Sequence, residues 1–370
     1  MKRCASPLQP SCRVPAWWAP LHEASGSDSI FVSAEWMQAW LDAYGADFKG
    51  LWLRWEVDSV VVAGCLLVER TIRVKGIPFR TMYLNATGEA AEPTPLAEFN
   101  DVLHLPGHAS AVAASLAEFM RAGGCSRLLL SGHTQDGPAG AVPGLLDRDH
   151  AEHVAKPAPY VDLAALGGKP FVASLSGKVG MQVRRNLREY VQRLGELSVR
   201  RAADLPETLA YFAQMRQLHL ARWNSREQST TLSSPVVVRF HQRLIESLFD
   251  SGQVDMLRVG SADQPIGFLY TFVVRGKVSM FQSGFAYEQE SKWSPGMATL
   301  ALAIEYYQAR GVREYDFLAG DARYKRALSN GVRDMVWTTI YRDRAWIRLL
   351  LLGRQLRRQF APERRVAEAT

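Results

Sequence analysis

The chain has 370 residues and a formal net charge of +7, and 47% of its residues are apolar. This length favours two medium-sized cores over one, and no apolar run reaches the ~18 residues that a membrane span needs. The N-terminal residues carry charges without an apolar stretch typical of a secretion signal, which predicts a cytoplasmic protein.

The cysteines and charges narrow the classes of site. The four cysteines are far apart, with no C-x-x-C pair and no histidine at ligand spacing, so we expect neither a metal site nor a disulfide framework. The basic residues concentrate in residues 178–201 and 341–370, each with a net charge of +5. Either segment can contact a phosphorylated cofactor, an acidic acyl-carrier protein, RNA or a lipid surface, or it can form a solvated helix face.

In the first half, capping residues around apolar stripes predict helices at residues 33–45 and 108–121. Runs of strand length predict strands at residues 51–57, 59–70 and 126–131. Asp58 and Ser59 are expected to form a hairpin turn, and the glycine- and proline-rich residues 131–143 predict a surface loop.

The second half repeats this order. Helices are predicted at residues 205–223, 234–252 and 294–311, and strands at residues 254–260, 266–274, 278–285 and 313–320. Residues 106–132 align with residues 295–320, because each begins with Pro-Gly, continues as a helix of small residues and ends in a strand followed by glycine. This repeat indicates a duplication.

Proline and glycine concentrate at residues 155–170, which predicts the boundary between the repeats. We therefore predict an N-terminal domain at residues 1–160, a C-terminal domain at residues 161–343, and a basic C-terminal helix and tail at residues 344–370.

The helix that begins with Ser294, Pro295 and Gly296 follows a predicted strand directly. A glycine here leaves the free N–H groups of the first turn uncovered, and such a terminus binds phosphate oxygens. The alternative is that Gly296 only lets the helix pack closely on its strand.

Several stretches together resemble the GNAT acyltransferase superfamily, and most closely its CelD-like (cellulose-biosynthesis type) branch, which is related to FemAB-like tandem-GNAT proteins. They are RRNLR (184–188), LHLARW (218–223), IGF (266–268), QSG (282–284), SPGMATL (294–300), YDFLAGDARYKR (315–326) and, more weakly, AEFNDVL (97–103). The resemblance covers residues 160–341 well and the first half in outline. It departs from the usual pattern because Gly296 stands alone where several glycines are common.

The resemblance implies an α+β fold with a mixed sheet, built as two GNAT-like domains in tandem, each a central mostly antiparallel sheet flanked by helices. It also implies acyl-CoA, acetyl-CoA or longer, as co-substrate, with its pyrophosphate on the helix terminus and its pantetheine between two diverging strands. The residues expected to contact it are Gln282, Ser283, Gly284, Ser294, Gly296, Met297, Ala298 and Arg185.

Acyl transfer to an amine needs a neutral nucleophile and a proton for the departing thiolate. The sequence has no evident Ser-His-Asp or Cys-His arrangement, which favours direct attack. Tyr324 is the candidate acid, because a phenol is protonated at neutral pH; its alternative is a packing role. Asp321, ahead of Asp316, is the candidate base, and His219 is a further catalytic candidate. The residues expected to bind the acceptor are Trp223, Arg222, Glu288 and Lys325.

The sequence therefore predicts an enzyme, an acyl-CoA-dependent acyltransferase acting on an amine or hydroxyl of a small-molecule, carbohydrate or peptide acceptor. Two alternatives stay open: a FemAB-like peptidyltransferase that uses aminoacyl-tRNA, and a non-catalytic accessory protein of polysaccharide synthesis. An acyl-carrier protein and peripheral membrane contact through the C-terminal helix also stay open as partners. Sequence-specific nucleic-acid binding is not expected.

Overall fold

The computed structural model describes residues 1–9, 13–45, 48–74, 76–89, 94–123, 125–146, 150–224, 230–287 and 294–342. Glu288 and the predicted C-terminal helix at residues 344–370 lie outside the described residues.

The described strands are β1 (Lys2–Pro7), β2 (Lys49–Val57), β3 (Val60–Val74), β4 (Ile77–Leu84), β5 (Leu103–His104), β6 (Arg127–His133), β7 (His150–Asp162), β8 (Ser198–Arg201), β9 (Val254–Gly260), β10 (Pro265–Val274), β11 (Lys277–Phe285), β12 (Glu314–Asp316) and β13 (Gly331–Tyr341). The described α-helices are α1 (Trp18–Ser25), α2 (Ala34–Tyr44), α3 (Ala109–Ala122), α4 (Pro138–Ala141), α5 (Phe171–Ser174), α6 (Gly177–Leu194), α7 (Leu205–Asn224), α8 (Pro235–Leu248), α9 (Pro295–Gln308) and α10 (Arg323–Leu328).

Local sequence explains most of these boundaries. Ser33 caps α2, and its hydroxyl accepts a hydrogen bond from the Trp36 N–H at 3.1 Å. Asp58 and Ser59 have positive φ angles of 48° and 65°, so they form the predicted two-residue turn between β2 and β3. The predicted surface loop at residues 131–143 is wrong in part, because β6 extends to His133 and Pro138–Ala141 forms α4.

The strands form one sheet in the order β1-β2-β3-β4-β6-β13-β7-β12-β11-β10-β9-β8, and β5 pairs with β3 outside this row. The first half runs β1, α1, α2, β2, β3, β4, α3, β6, α4, β7, and the second runs β8, α7, α8, β9, β10, β11, α9, β12, α10, β13. The two orders are the same once β5, α5 and α6 are set aside, which supports the duplication predicted from the sequence.

The last strand of each half is exchanged. β7, which ends the first half, pairs with β12 of the second half, and β13, which ends the second half, pairs with β6 of the first. β7 and β13 also pair with each other along the whole of β13. The proposed boundary at residue 160 therefore falls inside β7, in the middle of the sheet.

The halves also share a core on one face of the sheet, formed by α1, α2, α7 and α8. Within it, the ring of Trp36 from α2 lies 5.0 Å from the ring of Phe240 from α8 and 6.0 Å from that of Phe272 in β10. The opposite face carries separate cores, one under α3 and one under α6 and α9. Of the described helices, none is both long and apolar enough to cross a membrane.

Candidate active site

β11 and β12 run parallel, but only three residues of each strand are paired. β11 then continues to Phe285 beside β10, whereas the chain after β12 turns away at Leu318, whose φ is +60°. Phe281 is the extra residue of a bulge in β11, and bulges often re-aim strand ends near active sites. Within the described chain, residues 280–285 have no strand partner on this edge. We call the space between them and residues 318–320 the β11–β12 gap.

α7 packs on the β11 side of this gap. A Cβ at Gly284 would lie 2.2 Å from the Met215 carbonyl oxygen, so only glycine allows the backbones to approach this closely. His219 Nδ1 lies 3.1 Å from the Ser283 carbonyl oxygen, and its Nε2 lies 2.8 Å from Thr230 Oγ1. Because a carbonyl can only accept, Nδ1 carries the proton and Nε2 accepts from the Thr230 hydroxyl.

This arrangement defines what His219 can do. Burial lowers the pKa of His219, which keeps the imidazole neutral, and both ring nitrogens already have partners within the protein. The ring therefore fixes the carbonyl of Ser283 at the edge of the gap. The Gln282 side chain lies beside it, with its Oε1 3.4 Å from the Ser283 N–H.

The end of α7 reaches the residues that follow β11. The Arg222 guanidinium lies 4.1 Å from the centre of the Tyr287 ring, and the Trp223 ring lies 6.0 Å from the His219 ring. The structure thus places His219, Arg222 and Trp223 at one end of the gap.

α9 begins directly beyond the gap. Its N-cap residue, Ser294, makes no side-chain cap hydrogen bond, and the first turn contains no acidic residue. A Cβ at Gly296 would lie 3.2 Å from the ring of Phe285, so this glycine lets the helix pack on the end of β11. Met297 is half-buried, and Ala298 is fully buried against the sheet. The close-packing role of Gly296 therefore occurs together with a helix N-terminus whose N-cap side chain makes no hydrogen bond.

A group of aromatic rings lies on the same face of the sheet as α9. The Tyr324 ring packs edge-on against Phe317 at 6.3 Å. Burial, with the neighbouring Tyr287 phenol, raises the pKa of Tyr324 to about 12. The Tyr324 phenol therefore keeps its proton at neutral pH.

Asp316 occupies the end of β12 and is fully buried. Its Oδ1 accepts a hydrogen bond from the Leu318 N–H at 2.7 Å, and its Oδ2 lies 3.5 Å from Lys277 Nζ. That second approach is an ion pair rather than a well-aligned hydrogen bond, since Oδ2 has no hydrogen-bond partner. Burial raises the pKa of Asp316, and the positive charge of Lys277 opposes this. Asp316 thus holds the turn that follows β12.

The remaining candidates lie in three different environments. Asp321 is exposed and ion-paired with Arg326. Arg185 is exposed on α6, 3.7 Å from Glu189, and no described contact links it to the gap. Lys325 is half-buried, and its Nζ donates to the carbonyls of Leu318 and Ala319 at 3.2 and 2.9 Å. No cluster of three metal-ligating side chains occurs in the described parts of the chain.

The first half contains the equivalent feature. β4 and β6 also run parallel over three residue pairs. There the Asn85 side chain donates to Asn100 Oδ1 and to the Asp101 carbonyl, both at 2.8 Å, and the Asn100 N–H donates to the Gly132 carbonyl at 2.9 Å. Residues 97–101 therefore occupy the space between β4 and β6. We call this segment the plug.

Sequence reasoning missed two charged residues near the gap. Lys277 is a buried lysine whose Nζ lies 3.7 Å from the centre of the Phe99 ring. Glu98, from the plug, accepts a hydrogen bond from the Ala319 N–H at 2.7 Å. The only sequence signal for Glu98 was its place in AEFNDVL, and no pattern indicated that it would reach the second half.

Comparison with known proteins defines the class. A profile of the family described as Acetyltransferase (GNAT) domain matches residues 178–326, from α6 to α10. This range contains β11, α9, β12 and Tyr324, and hence the whole β11–β12 gap. No curated protein matches the chain.

The chain is similar in structure to FemX, with a TM-score of 0.61 at 10% identity over 95% of this chain and 100% of that chain. A protein of unknown function from Bacteroides thetaiotaomicron gives a TM-score of 0.51 at 10% identity, over 89% of this chain and 98% of that chain. The C-terminal domain of a protein named as a lysylphosphatidylglycerol synthetase from Agrobacterium fabrum gives a TM-score of 0.51 at 12% identity, over 91% of this chain and 96% of that chain. At these identities the likeness concerns the fold alone.

The fold is thus two GNAT-like domains in tandem, each a mostly antiparallel sheet flanked by helices, as the sequence predicted. The second half carries a GNAT acetyltransferase domain, and the protein is an acyltransferase.

Proposed function

We propose that the protein transfers an acyl group from acyl-CoA to an amine or hydroxyl acceptor by direct attack at the β11–β12 gap. The observation that carries this proposal is the edge of β11 at residues 280–285, which pairs with no strand in the described parts of the chain. The N-terminus of α9 follows it, and its N-cap residue makes no side-chain hydrogen bond. An exposed strand edge can pair with the amides of pantetheine, and a helix N-terminus can bind pyrophosphate.

In this proposal the acceptor nitrogen or oxygen attacks the thioester carbonyl carbon, the new C–N or C–O bond forms, and the C–S bond breaks. The proton that the acceptor loses balances the one that the thiolate gains. Tyr324 lies on the α9 side of the sheet with a protonated phenol, and it would donate a hydrogen bond to the departing sulfur. Asp321, which is exposed, is our candidate to accept the acceptor's proton, and Asp316 would act by holding the turn.

His219 has no free ring nitrogen for proton transfer, so we propose that it positions the Ser283 carbonyl. Arg222 and Trp223 lie beside Tyr287 and His219 at the same end of the gap, where they could contact the acceptor. Acceptors with a planar or anionic group suit this pair, because guanidinium and indole groups bind such groups well.

The test is calorimetric titration of the full chain with acetyl-CoA and longer acyl-CoA thioesters, together with assay of free thiol released in the presence of amine and sugar acceptors. We expect saturable binding and acceptor-dependent thiol release. Intact mass spectrometry of the purified protein under native conditions would reveal retained coenzyme A.

The aminoacyl-tRNA alternative has its own readout. Binding of tRNA with a steep dependence on salt, together with no heat on addition of acyl-CoA at millimolar concentration, would overturn the acyl-CoA proposal in favour of a FemAB-like reaction.

A further inference from the structure

The plug of the first half reaches the second half through the Glu98 carboxylate and through the Phe99 ring, which lies 3.7 Å from Lys277 Nζ. Glu98 Oε2 accepts a hydrogen bond from the Ala319 N–H at 2.7 Å. The carbonyl of Ala319 accepts a hydrogen bond from Lys325 Nζ at 2.9 Å. Ala319 is therefore held from two sides, by a carboxylate from the first half and by an ammonium from α10, the helix that carries Tyr324.

The backbone on both sides of this contact is strained. Leu96, Phe99 and Leu318 have φ angles of +58°, +46° and +60°, a region that bulky apolar residues rarely adopt. The other described non-glycine residues with positive φ are of types common in turns or lie in a hairpin turn: Asp58, Ser59, Asn85 and Arg275. Strained residues persist only where surrounding contacts hold them. Here the contacts are the hydrogen bonds of Glu98, Asp316 and Lys325.

The charges around this contact depend on one another. Burial raises the pKa values of Glu98 and Asp316, and burial lowers the pKa of Lys325; in each case the neighbouring opposite charges act against the effect of burial. Lys277 adds a second ammonium, 3.5 Å from both Asp316 Oδ2 and Asp28 Oδ1. A change of charge at Glu98 is therefore expected to alter the position or protonation of Lys325.

We propose that Glu98 is a positioning residue for acyl transfer in the second half. It fixes the turn at residues 318–320, and through Lys325 it fixes the start of α10 and the Tyr324 phenol beside the β11–β12 gap. The first half thus completes the site of the second. This inference rests on the proposed function, and the rival explanation is that Glu98 only stabilises the contact between the halves.

The experiment compares Glu98→Ala and Glu98→Gln with a matched control, Glu89→Gln. Glu89 is a carboxylate between β4 and the plug, and it accepts a hydrogen bond from Trp40 Nε1 within the first half. We expect Glu98→Ala to lower kcat about 10-fold, because a small misplacement of catalytic groups is costly, with the Kd for acetyl-CoA changed less than about 3-fold. The control should keep kcat within about 2-fold of wild type.

The pH profile separates positioning from simple stabilisation. Since the pKa of Glu98 is raised, protonation of its carboxylate on acidification should contribute to the acid limb of kcat in the wild type. Glu98→Gln can still accept from the Ala319 N–H but does not titrate, so its kcat should fall less steeply on acidification relative to its own plateau. Hydrogen exchange of the peptide containing Ala319 should be faster in Glu98→Ala, with exchange in β9 unchanged.

Three outcomes are informative. Failure of the wild-type protein to bind acetyl-CoA would contradict the proposed function itself. A wild type that binds and turns over, with a Glu98→Ala variant that melts at a lower temperature but keeps wild-type kcat, would overturn the positioning role. Should Glu98→Ala fail to fold, an unchanged acid limb and unchanged kcat in Glu98→Gln would overturn it equally.

Discussion

In the first half, the space between the parallel strands β4 and β6 holds Asn100, bonded to Asn85 on one side and to Gly132 on the other. In the second half, no hydrogen bond between described residues joins the β11 edge at residues 282–285 to the turn at residues 318–320. The same short parallel pairing therefore exists twice, and among the described residues only the first is bridged by such hydrogen bonds. In the first half, the segment that connects β4 to α3 fills the space that this topology creates.

The two aligned glycines also differ in physical role. Gly107 has a φ of +84°, and a Cβ there would meet no atom within 4 Å, so it is needed for its backbone conformation. Gly296 has an ordinary φ, and a Cβ there would press on the Phe285 ring at 3.2 Å. A sequence alignment equates the two positions, but only Gly296 places a helix terminus against the end of an unpaired strand edge.

The largest expected effect is at this helix terminus. We expect one coenzyme A per chain by calorimetry, and we expect Gly296→Val to abolish detectable binding. The added side chain would displace Phe285 and crowd the N–H groups of α9, whose hydrogen bonds to a charged ligand are worth ~1.5 to 3 kcal/mol each.

The matched control for this variant is Gly107→Asn, because asparagine tolerates a positive φ whereas valine there would be strained. It should retain wild-type affinity, with both variants checked by circular dichroism. Two coenzymes per chain, or loss of binding only in the Gly107 variant, would reverse the assignment of the active half.

Tyr324→Phe should lower kcat by ~10²-fold with little change in acyl-CoA affinity, since the phenol acts on the departing sulfur. Tyr306→Phe, on α9 with the Arg310 guanidinium 3.4 Å from its ring centre, serves as the control and should keep wild-type turnover. Steady-state kinetics decide the point, and turnover of Tyr324→Phe within about 2-fold of wild type would remove the tyrosine from the mechanism.

Removing hydrogen bonds of the plug tests how much the plug stabilises the protein. Asn85→Ala deletes hydrogen bonds with the Leu66 N–H, Asn100 and the Asp101 carbonyl, and it places alanine at a φ of +54°. We expect a loss of about 3 kcal/mol in the free energy of unfolding, measured in urea. Asn330→Ala, which removes an exposed asparagine that bonds the backbone of Asp162, should cost about 1 kcal/mol or less.

The Asn85→Ala variant also tests whether the first half can bind coenzyme A. Asn85→Ala should still bind one coenzyme A, because the first half lacks a counterpart of Tyr324 and of the free β11 edge. A second bound coenzyme in this variant would mean that only the plug prevents the first half from binding coenzyme A between β4 and β6.

The smallest expected effect is the pH dependence that Asp101, in the plug, gives to the free energy of unfolding. Asp101 accepts hydrogen bonds from the N–H groups of Val102 and Ala139, and burial raises its pKa to about 7. Because the folded-state pKa of Asp101 lies above its usual value, the stability that Asp101 contributes is present below about pH 4 and is lost as the pH rises through about 7. Asp101→Asn should reduce the difference in unfolding free energy between pH 5 and pH 8 by on the order of 2 kcal/mol. Parallel stability profiles for the two proteins would contradict this.

Local patterns in the sequence determined the elements and their repetition. Ser33 marked the start of α2, Asp58 and Ser59 marked a hairpin turn, and the Pro-Gly repeat marked α3 and α9. These features depend on capping, turn conformation and apolar periodicity, which act over a few residues and can be read in one dimension. The site residues in QSG, SPG and YKR came from the resemblance to GNAT acyltransferases, and their roles stay predictions.

The tertiary structure alone decided the exchange of β7 and β13, the plug in the first half and the contact of Glu98 with Ala319. It also decided that both ring nitrogens of His219 are already bonded. Each of these depends on pairs of residues far apart in the chain: Glu98 and Ala319 are separated by 221 positions. Strand pairing and buried hydrogen bonds select partners by three-dimensional proximity, so the spacing of residue types along the chain carries no record of them.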